Sequence, residues 1–170
     1  VLGNGNTEGY TPLENEAREC ALQRLRQAVF LQYMLPGMPV IYYGDEVGLE
    51  GGKDPYNRLF YPWNHENQAL RDFYIQLGNL RKNSPVLRRG NISEGGSDRT
   101  HVHMIRRFNQ TALHFFAATA PCELPCPQGA KWLCGAQCDV YEKTFKMNIC
   151  GFAAFCCEHE SISMESSWER

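Results

Sequence analysis

The sequence predicts an α/β region followed by a small antiparallel β domain. Residues 1–90 have a strand–helix–strand–helix order, which is typical of an α/β barrel or a doubly wound sheet. Residues 100–160 contain short β-like runs punctuated by Pro, Gly, Asn and Asp. The polar, Gly- and Ser-rich residues 91–99 are predicted to be a linker between them, and residues 161–170 a tail.

Two helices are predicted in the first region, over residues 16–34 and 67–81. Both show apolar side chains at three- or four-residue spacing, namely Leu22, Leu25, Val29 and Tyr33, then Leu70, Phe73, Tyr74, Leu77 and Leu80. Between them, Met38 to Tyr43 is a short run of β-formers that predicts a strand buried on both faces. The following residues 44–66 form a long loop, which in a compact domain is usually functional or disordered.

The β domain is predicted from five short runs of β-forming residues. These runs span residues 100–108, 111–119, 131–133, 140–148 and 152–158. Turn residues separate the runs, so neighbouring strands are expected to pair in antiparallel fashion.

Composition excludes several classes of protein. Hydrophobic residues make up 43% and charged residues 21% of the 170 residues, which is a globular balance. The net charge of −2, without a long basic run, argues against a nucleic-acid partner. No apolar stretch approaches the roughly 20 residues that cross a bilayer, so no membrane association is expected. The chain opens with Val-Leu-Gly, and residue 1 is therefore expected not to be a natural start.

Cysteine use indicates a reducing compartment. The chain has eight Cys residues but no recognisable secretion signal, and it has enough apolar residues for a core without disulfides. We therefore expect reduced cysteines and a cytoplasmic location.

Two sequence blocks carry a family resemblance. Leu35-Pro-Gly-Met-Pro-Val-Ile-Tyr-Tyr-Gly-Asp-Glu46 resembles the eighth-strand segment of the alpha-amylase family of glycoside hydrolases. Gly51-Gly-Lys-Asp-Pro-Tyr-Asn-Arg58, followed by Phe60-Tyr-Pro-Trp63, is similar to the next loop in neopullulanases and cyclomaltodextrinases. The resemblance is close over about residues 1–90. It implies the C-terminal part of a (β/α)8 TIM barrel followed by a β-sandwich.

The resemblance also implies that this chain alone is inactive. Retaining glycosidases use two carboxyl groups about 5–5.5 Å apart, and the family places both upstream of residue 1. A third family acid lies in an Asn-His-Asp motif, which matches Asn4-Gly5-Asn6 here. Asn6 carries no charge to oppose an oxocarbenium ion, and Gly5 lacks the imidazole donor.

Asp54 and Arg58 are the foremost binding candidates. The resemblance places the matching Asp and Arg at a glucose unit on the non-reducing side of the cleavage point, although an Asp-x-x-x-Arg pair is otherwise usually a surface ion pair. A carboxylate and a guanidinium can accept from and donate to neighbouring hydroxyls. The other candidate sugar contacts are Asn4, Asn6, Tyr43, Glu46 and Trp63, and Tyr56 is a further aromatic candidate.

Several alternatives stay open for these residues. Tyr43, Tyr56 and Trp63 are equally suited to core packing. Asp45 and Glu46 are predicted at a strand end, where neighbours point to opposite sides, so they cannot both flank one glycosidic bond. They either contact sugar or only close the strand end by hydrogen bonding.

The cysteines and two histidines admit a metal hypothesis. Cys122, Cys126, Cys134 and Cys138 have spacing that zinc sites permit, but free cysteines are also common small core residues. His101 and His103 share a face of a predicted strand, where a solvent-facing pair is the default expectation. No cofactor is expected.

Three functions remain in competition at this point. The first is a portion of a retaining hydrolase or glucanotransferase acting on α-1,4-linked gluco-oligosaccharides. The second is a catalytically silent maltooligosaccharide-binding remnant, and the third is a Cys-rich zinc module. In every case two strands of an incomplete barrel leave an open edge, which predicts self-association.

Overall fold

The computed structural model describes residues 11–158, which form two compact units divided between Arg88 and Arg89. The helices are Asn15–Met34 (α1), Gln68–Asn83 (α2) and Pro85–Arg89 (α3), and short 3-10 turns occur at Asp45–Val47 and Tyr56–Arg58. The strands are Asn91–Ser97 (β1), His101–Phe108 (β2), Thr111–Ala118 (β3), Cys122–Pro125 (β4), Lys131–Val140 (β5) and Thr144–Glu158 (β6).

None of the helices within the described residues is both long and apolar enough to cross a membrane.

The first unit is built on the two predicted helices. Buried side chains of α1 include Phe30 and Met34, and those of α2 include Leu70 and Leu77. Helix α2 begins where the Asn67 side chain accepts a hydrogen bond from the Leu70 amide at 3.0 Å, which satisfies one of the free donors at its N-terminus. The helical periodicity of the sequence is therefore confirmed.

Arg81 joins the end of α1 to α2. Its guanidinium donates to the carbonyls of Tyr33 at 2.6 Å and Leu35 at 3.3 Å, and also to that of Gly37. The last carbonyls of a helix have no partner within the helix, so a single side chain supplies donors where α1 ends.

The strand predicted over Met38 to Tyr43 does not form in this structure. These residues form neither helix nor strand, and most of their side chains are exposed, with Met38 85% and Val40 69% accessible. No strand occurs among residues 11–88, so the segment has no partner for ladder hydrogen bonds. A TIM barrel is accordingly not present in the described residues.

The second unit is one six-stranded antiparallel sheet. Its order is β1-β2-β3-β6-β4, and β5 pairs with the other side of β6. The predicted sandwich is seen only in part, because all six strands belong to one connected sheet. The reason is the length of β6, whose 15 residues pair with three strands.

Two further boundaries differ from the sequence prediction. Residues 91–97, predicted as linker, pair with β2 as strand β1. The runs 140–148 and 152–158 are not separate strands, because a bulge rather than a turn lies between them in β6. Cys150 there has φ 62°, and a Cβ on Gly151 would lie 2.7 Å from the Gln137 carbonyl oxygen. Such bulges bend a strand without ending it.

One face of this sheet carries an aromatic core. Phe116 meets Phe145 edge-on with ring centroids 4.9 Å apart, and Phe155 lies 5.1 Å from Phe145. All three rings are nearly inaccessible to solvent. Partly buried cysteines pack around them, namely Cys122, Cys126 and Cys138.

Candidate functional site

A cavity of about 320 Å³ lies in the first unit, directly after the exposed segment. Its shape depends on a tight turn in which Gly44 and Gly48 adopt positive φ values of 90° and 72°, a conformation that glycine adopts without steric cost. The lining residues are Tyr42, Tyr43, Asp45, Leu49, Glu50, Gly51 and Asn57. Tyrosine rings, carboxyl groups and one amide therefore surround the same space.

Glu50 is the buried anion of this cavity. Only 7% of the residue is accessible, yet its carboxylate accepts from the Leu13 amide at 2.7 Å and from Arg18 Nε at 2.8 Å. A buried carboxylate is stable only when it is paired and hydrogen-bonded. Sequence reasoning missed Glu50, and its position in a predicted loop gives no signal of burial.

Asp45 and Glu46 lie on a 3-10 turn and not at the end of a strand. Partial burial raises the pKa of Asp45, and the neighbouring Glu46 raises it further. Glu46 Oε2 accepts a hydrogen bond from the Gly44 amide at 2.9 Å. Glu46 thus supports the turn, whereas Asp45 lines the cavity.

Asp54 and Arg58 form an accessible ion pair beside the cavity. Arg58 Nε lies 3.5 Å from Asp54 Oδ1, and the two side chains are 72% and 70% exposed. Exposed pairs of this kind contribute little to stability. Neither residue lines the cavity, but Asn57 between them does.

The remaining aromatic candidates are only partly brought together. The Tyr43 hydroxyl donates to the Leu59 carbonyl at 2.9 Å, which positions its ring at the cavity wall. Trp63 is 73% exposed and its ring lies 4.6 Å from that of Tyr61. Partial burial raises the pKa of Tyr61, and a hydrogen bond to Glu46 contributes. Core packing is therefore not the role of Trp63 in this structure.

Asn4, Gly5 and Asn6 lie outside the described residues.

The four candidate metal cysteines do not converge. Within residues 11–158 no group of three or more His, Cys, Asp or Glu side chains is arranged to hold a metal ion. Burial raises the pKa of the Cys134 thiol to about 12 and that of Cys138 to about 11. Cys122, Cys126 and Cys138 instead pack against the aromatic core.

His101 and His103 are not the solvent-facing pair expected from the sequence. The His103 ring stacks on Phe116 at 4.0 Å, and its Nε2 lies 3.2 Å from Nδ1 of the buried His114. Burial, followed by the nearby His114 and His101, lowers the pKa of His103 to about 4. The ring is neutral at pH 7 and belongs to the packed face of the sheet.

Chemically, the residues around the cavity are suited to binding a polyhydroxylated molecule. Carboxylates and the Asn57 amide can accept hydroxyl hydrogens, Arg58 can donate, and the Tyr43 ring offers an apolar face.

No protein-family model matches the chain. An amylopullulanase of Thermoanaerobacterium saccharolyticum is 46% identical over 83 residues, which is 48% of this chain and 6% of that protein. A cyclomaltodextrinase of Geobacillus thermopakistaniensis is 32% identical over 120 residues, covering 66% of this chain and 20% of the relative. The chain therefore spans one fifth or less of the length of these relatives.

Solved structures agree with the sequence relatives. A maltogenic amylase from S. marinus superposes with a TM-score of 0.65 and 26% identity, over 82% of this chain and 20% of that one. The β-rich unit matches the C-terminal domains of such enzymes. The chain is thus homologous to the glycoside hydrolases of the alpha-amylase family, and the part of those enzymes that it fits is a C-terminal portion.

Proposed function

We propose that this chain is a region of an α-glucan-acting glycoside hydrolase that contacts the sugar and does not attack it. The homologues act on α-glucans such as starch, pullulan and maltodextrins. The observation that carries the proposal is the Asp54–Arg58 pair, which is exposed, close to a cavity with tyrosine walls, and weakly held. A hydroxyl-rich ligand could exchange this ion pair for hydrogen bonds at small cost.

The proposal assigns bond cleavage to residues that this chain does not contain. Retaining hydrolysis requires a nucleophile and an acid/base about 5–5.5 Å apart, and the family resemblance puts both before residue 1. The isolated chain is therefore expected to release no reducing sugar from maltohexaose. A detectable rate with the purified chain would contradict this assignment.

The exposed segment from Met38 to Tyr43 supports the finer proposal of a barrel strand. Its β-forming side chains are largely accessible here, and they would become buried if strands from the rest of an enzyme paired with it. Amide hydrogen exchange at these residues is the test. Protection should rise markedly in a longer polypeptide that completes the barrel, and equal exchange in both forms would rule the strand out.

Sugar binding through Asp54 and Arg58 is tested with maltoheptaose and the 170-residue chain. Isothermal titration should show saturable binding that D54A/R58A weakens about tenfold, as expected from the loss of about 1.4 kcal/mol of hydrogen bonding. The matched control is E94A/R107A, which removes an ion pair of 3.0 Å in the β unit. Unchanged binding in D54A/R58A would show that the site is misassigned.

A further inference from the structure

A second concave surface lies entirely within the β unit. Two turns form it, residues 126–130 between β4 and β5, and residues 140–143 from the last residue of β5 to the start of β6. The turns are joined because the Cys126 amide donates to the Lys143 carbonyl at 2.8 Å. The groove between them measures about 470 Å³, within the usual range for small-molecule sites.

Trp132 gives this groove a fixed aromatic wall. Its ring packs edge-on against Phe155 at 5.4 Å, and it lies so close to Gly135 that a Cβ there would be 2.3 Å from the ring. Nevertheless Trp132 is 42% exposed. A large ring that is already held in place costs little entropy when a ligand stacks on it.

Tyr141 contributes a second accessible ring from the other turn. It is 53% exposed, and the Lys146 ammonium lies 5.7 Å from the ring centroid. Both aromatic side chains line the same groove. Exposed aromatic residues of this size in one concavity are unusual for a surface that binds nothing.

Polar groups border the two rings. Gln128, Glu142 and Lys143 line the groove and are exposed. Within the described residues, the side chains of Glu142 and Lys143 make no hydrogen bond or ion pair. They can therefore donate to and accept from a ligand without first breaking contacts with the protein.

We propose that this groove is a second binding site for an α-linked gluco-oligosaccharide, with Trp132 and Tyr141 as stacking surfaces. A pyranose ring has an apolar C–H face and a belt of hydroxyls, so it matches aromatic walls bordered by polar side chains. A purely apolar ligand would instead desolvate Glu142 and Lys143 without compensation. The ligand class rests on the proposed function, but the residues are separate from Asp54 and Arg58. Such a site would hold the polymer away from the position of cleavage.

Fluorescence can isolate this site, because the chain has three Trp residues. In W63F/W168F the remaining reporter is Trp132, and titration of the 170-residue chain with maltoheptaose should shift its emission saturably. Y141A in that background should weaken binding about tenfold, the loss of one stacked ring. The control I149A removes an apolar side chain that is 56% exposed and does not line the groove, so its titration should match that of the parent. Thermal unfolding of each variant verifies that the β unit stays folded.

The results of these titrations distinguish a groove site at Trp132 from the proposed site at Asp54 and Arg58. Calorimetric binding without a response of Trp132 would overturn the groove while leaving the Asp54–Arg58 site standing. A Trp132 response that survives D54A/R58A supports an independent groove, and its loss in that variant overturns independence. An equal response to cellohexaose would overturn the α-linked class. A change in sedimentation of the unliganded chain on Y141A would assign the groove to self-association instead.

Discussion

The β unit and the segment from Met38 to Trp63 are both rich in apolar and aromatic side chains, but the β unit buries most of its phenylalanine rings, whereas the segment buries Val47 and leaves most of its large apolar side chains exposed. Phe155 in the sheet is 2% exposed, whereas Phe60 in the segment is 97% exposed. The difference lies in available partners, because β6 pairs with three strands and the segment pairs with none in the described chain. An apolar sequence pattern therefore shows which side chains could be buried, and the neighbouring elements determine whether they are.

The sharpest test of this comparison is the same substitution in both regions. Phe155→Ala removes a ring that contacts Phe116, Phe145 and Trp132, and should lower the free energy of unfolding of the β unit by about 3–5 kcal/mol. Phe60→Ala should change stability by less than about 0.5 kcal/mol. Urea unfolding measures both values. Equal losses would mean that the exposed segment is packed in solution and that the contrast is false.

Substituting alanine for one glycine in each unit should give a second, smaller difference in stability. A methyl group on Gly151 would lie 2.7 Å and 2.8 Å from two backbone carbonyl oxygens at the β6 bulge, so Gly151→Ala should cost about 1–3 kcal/mol. Gly78 lies in α2 with nothing within 4 Å of a Cβ, and Gly78→Ala should stabilise the helical unit by up to about 1 kcal/mol. Opposite shifts of the two thermal midpoints would support the comparison. A neutral effect at Gly151 would show that the bulge can adjust.

Acid should weaken the β unit through His103. Its pKa is about 4 in the fold against an ordinary 6.5, so the unfolded chain takes up a proton that the folded chain does not. Stability should be level above pH 6.5, fall by about 2 kcal/mol as the pH drops towards 4, and show no further His103-dependent loss below that. The expected loss of stability is smaller than the full pKa difference implies, because part of the His103 ring is exposed to solvent, which screens its charge.

His103→Phe measures that contribution. The groups facing His103 are His114, His101 and Phe116, and Asp98 lies 3.1 Å from His101. The variant should flatten the dependence between pH 4 and 6.5 in urea titrations, whereas His65→Phe in the exposed loop serves as the matched control. A slope that persists in His103→Phe would assign the acid sensitivity to another group.

Much of the fold was predictable because its signals are local. Helical spacing located α1 and α2, and runs of β-forming residues bounded by turn residues located β2 and β3. Strand β1 was missed because Gly95 and Gly96 give the segment the composition of a linker, while its pairing with β2 is a tertiary event. The bulge in β6 was read as a break for a similar reason, since Asn148 and Gly151 are also turn residues.

The candidate site was less predictable than the fold. Asp54, Arg58 and Tyr43 stay predicted sugar contacts, and nothing in the sequence signals the burial of Glu50, which depends on Arg18 and Leu13 far away in sequence. The groove at Trp132 was missed because it combines two turns that only the sheet brings together. Sites formed by long-range contacts leave little trace in local sequence patterns.

Strand β6 also determines how the β unit unfolds. Because it is hydrogen-bonded to β3, β4 and β5, loss of β6 removes one partner of β3 and the pairing of β4 and β5 at once. Local opening of a single hairpin is then unfavourable in comparison with opening of the whole sheet. The amides of these strands should therefore exchange with solvent as one cooperative group, and a force that extracts β6 would meet the resistance of three ladders together.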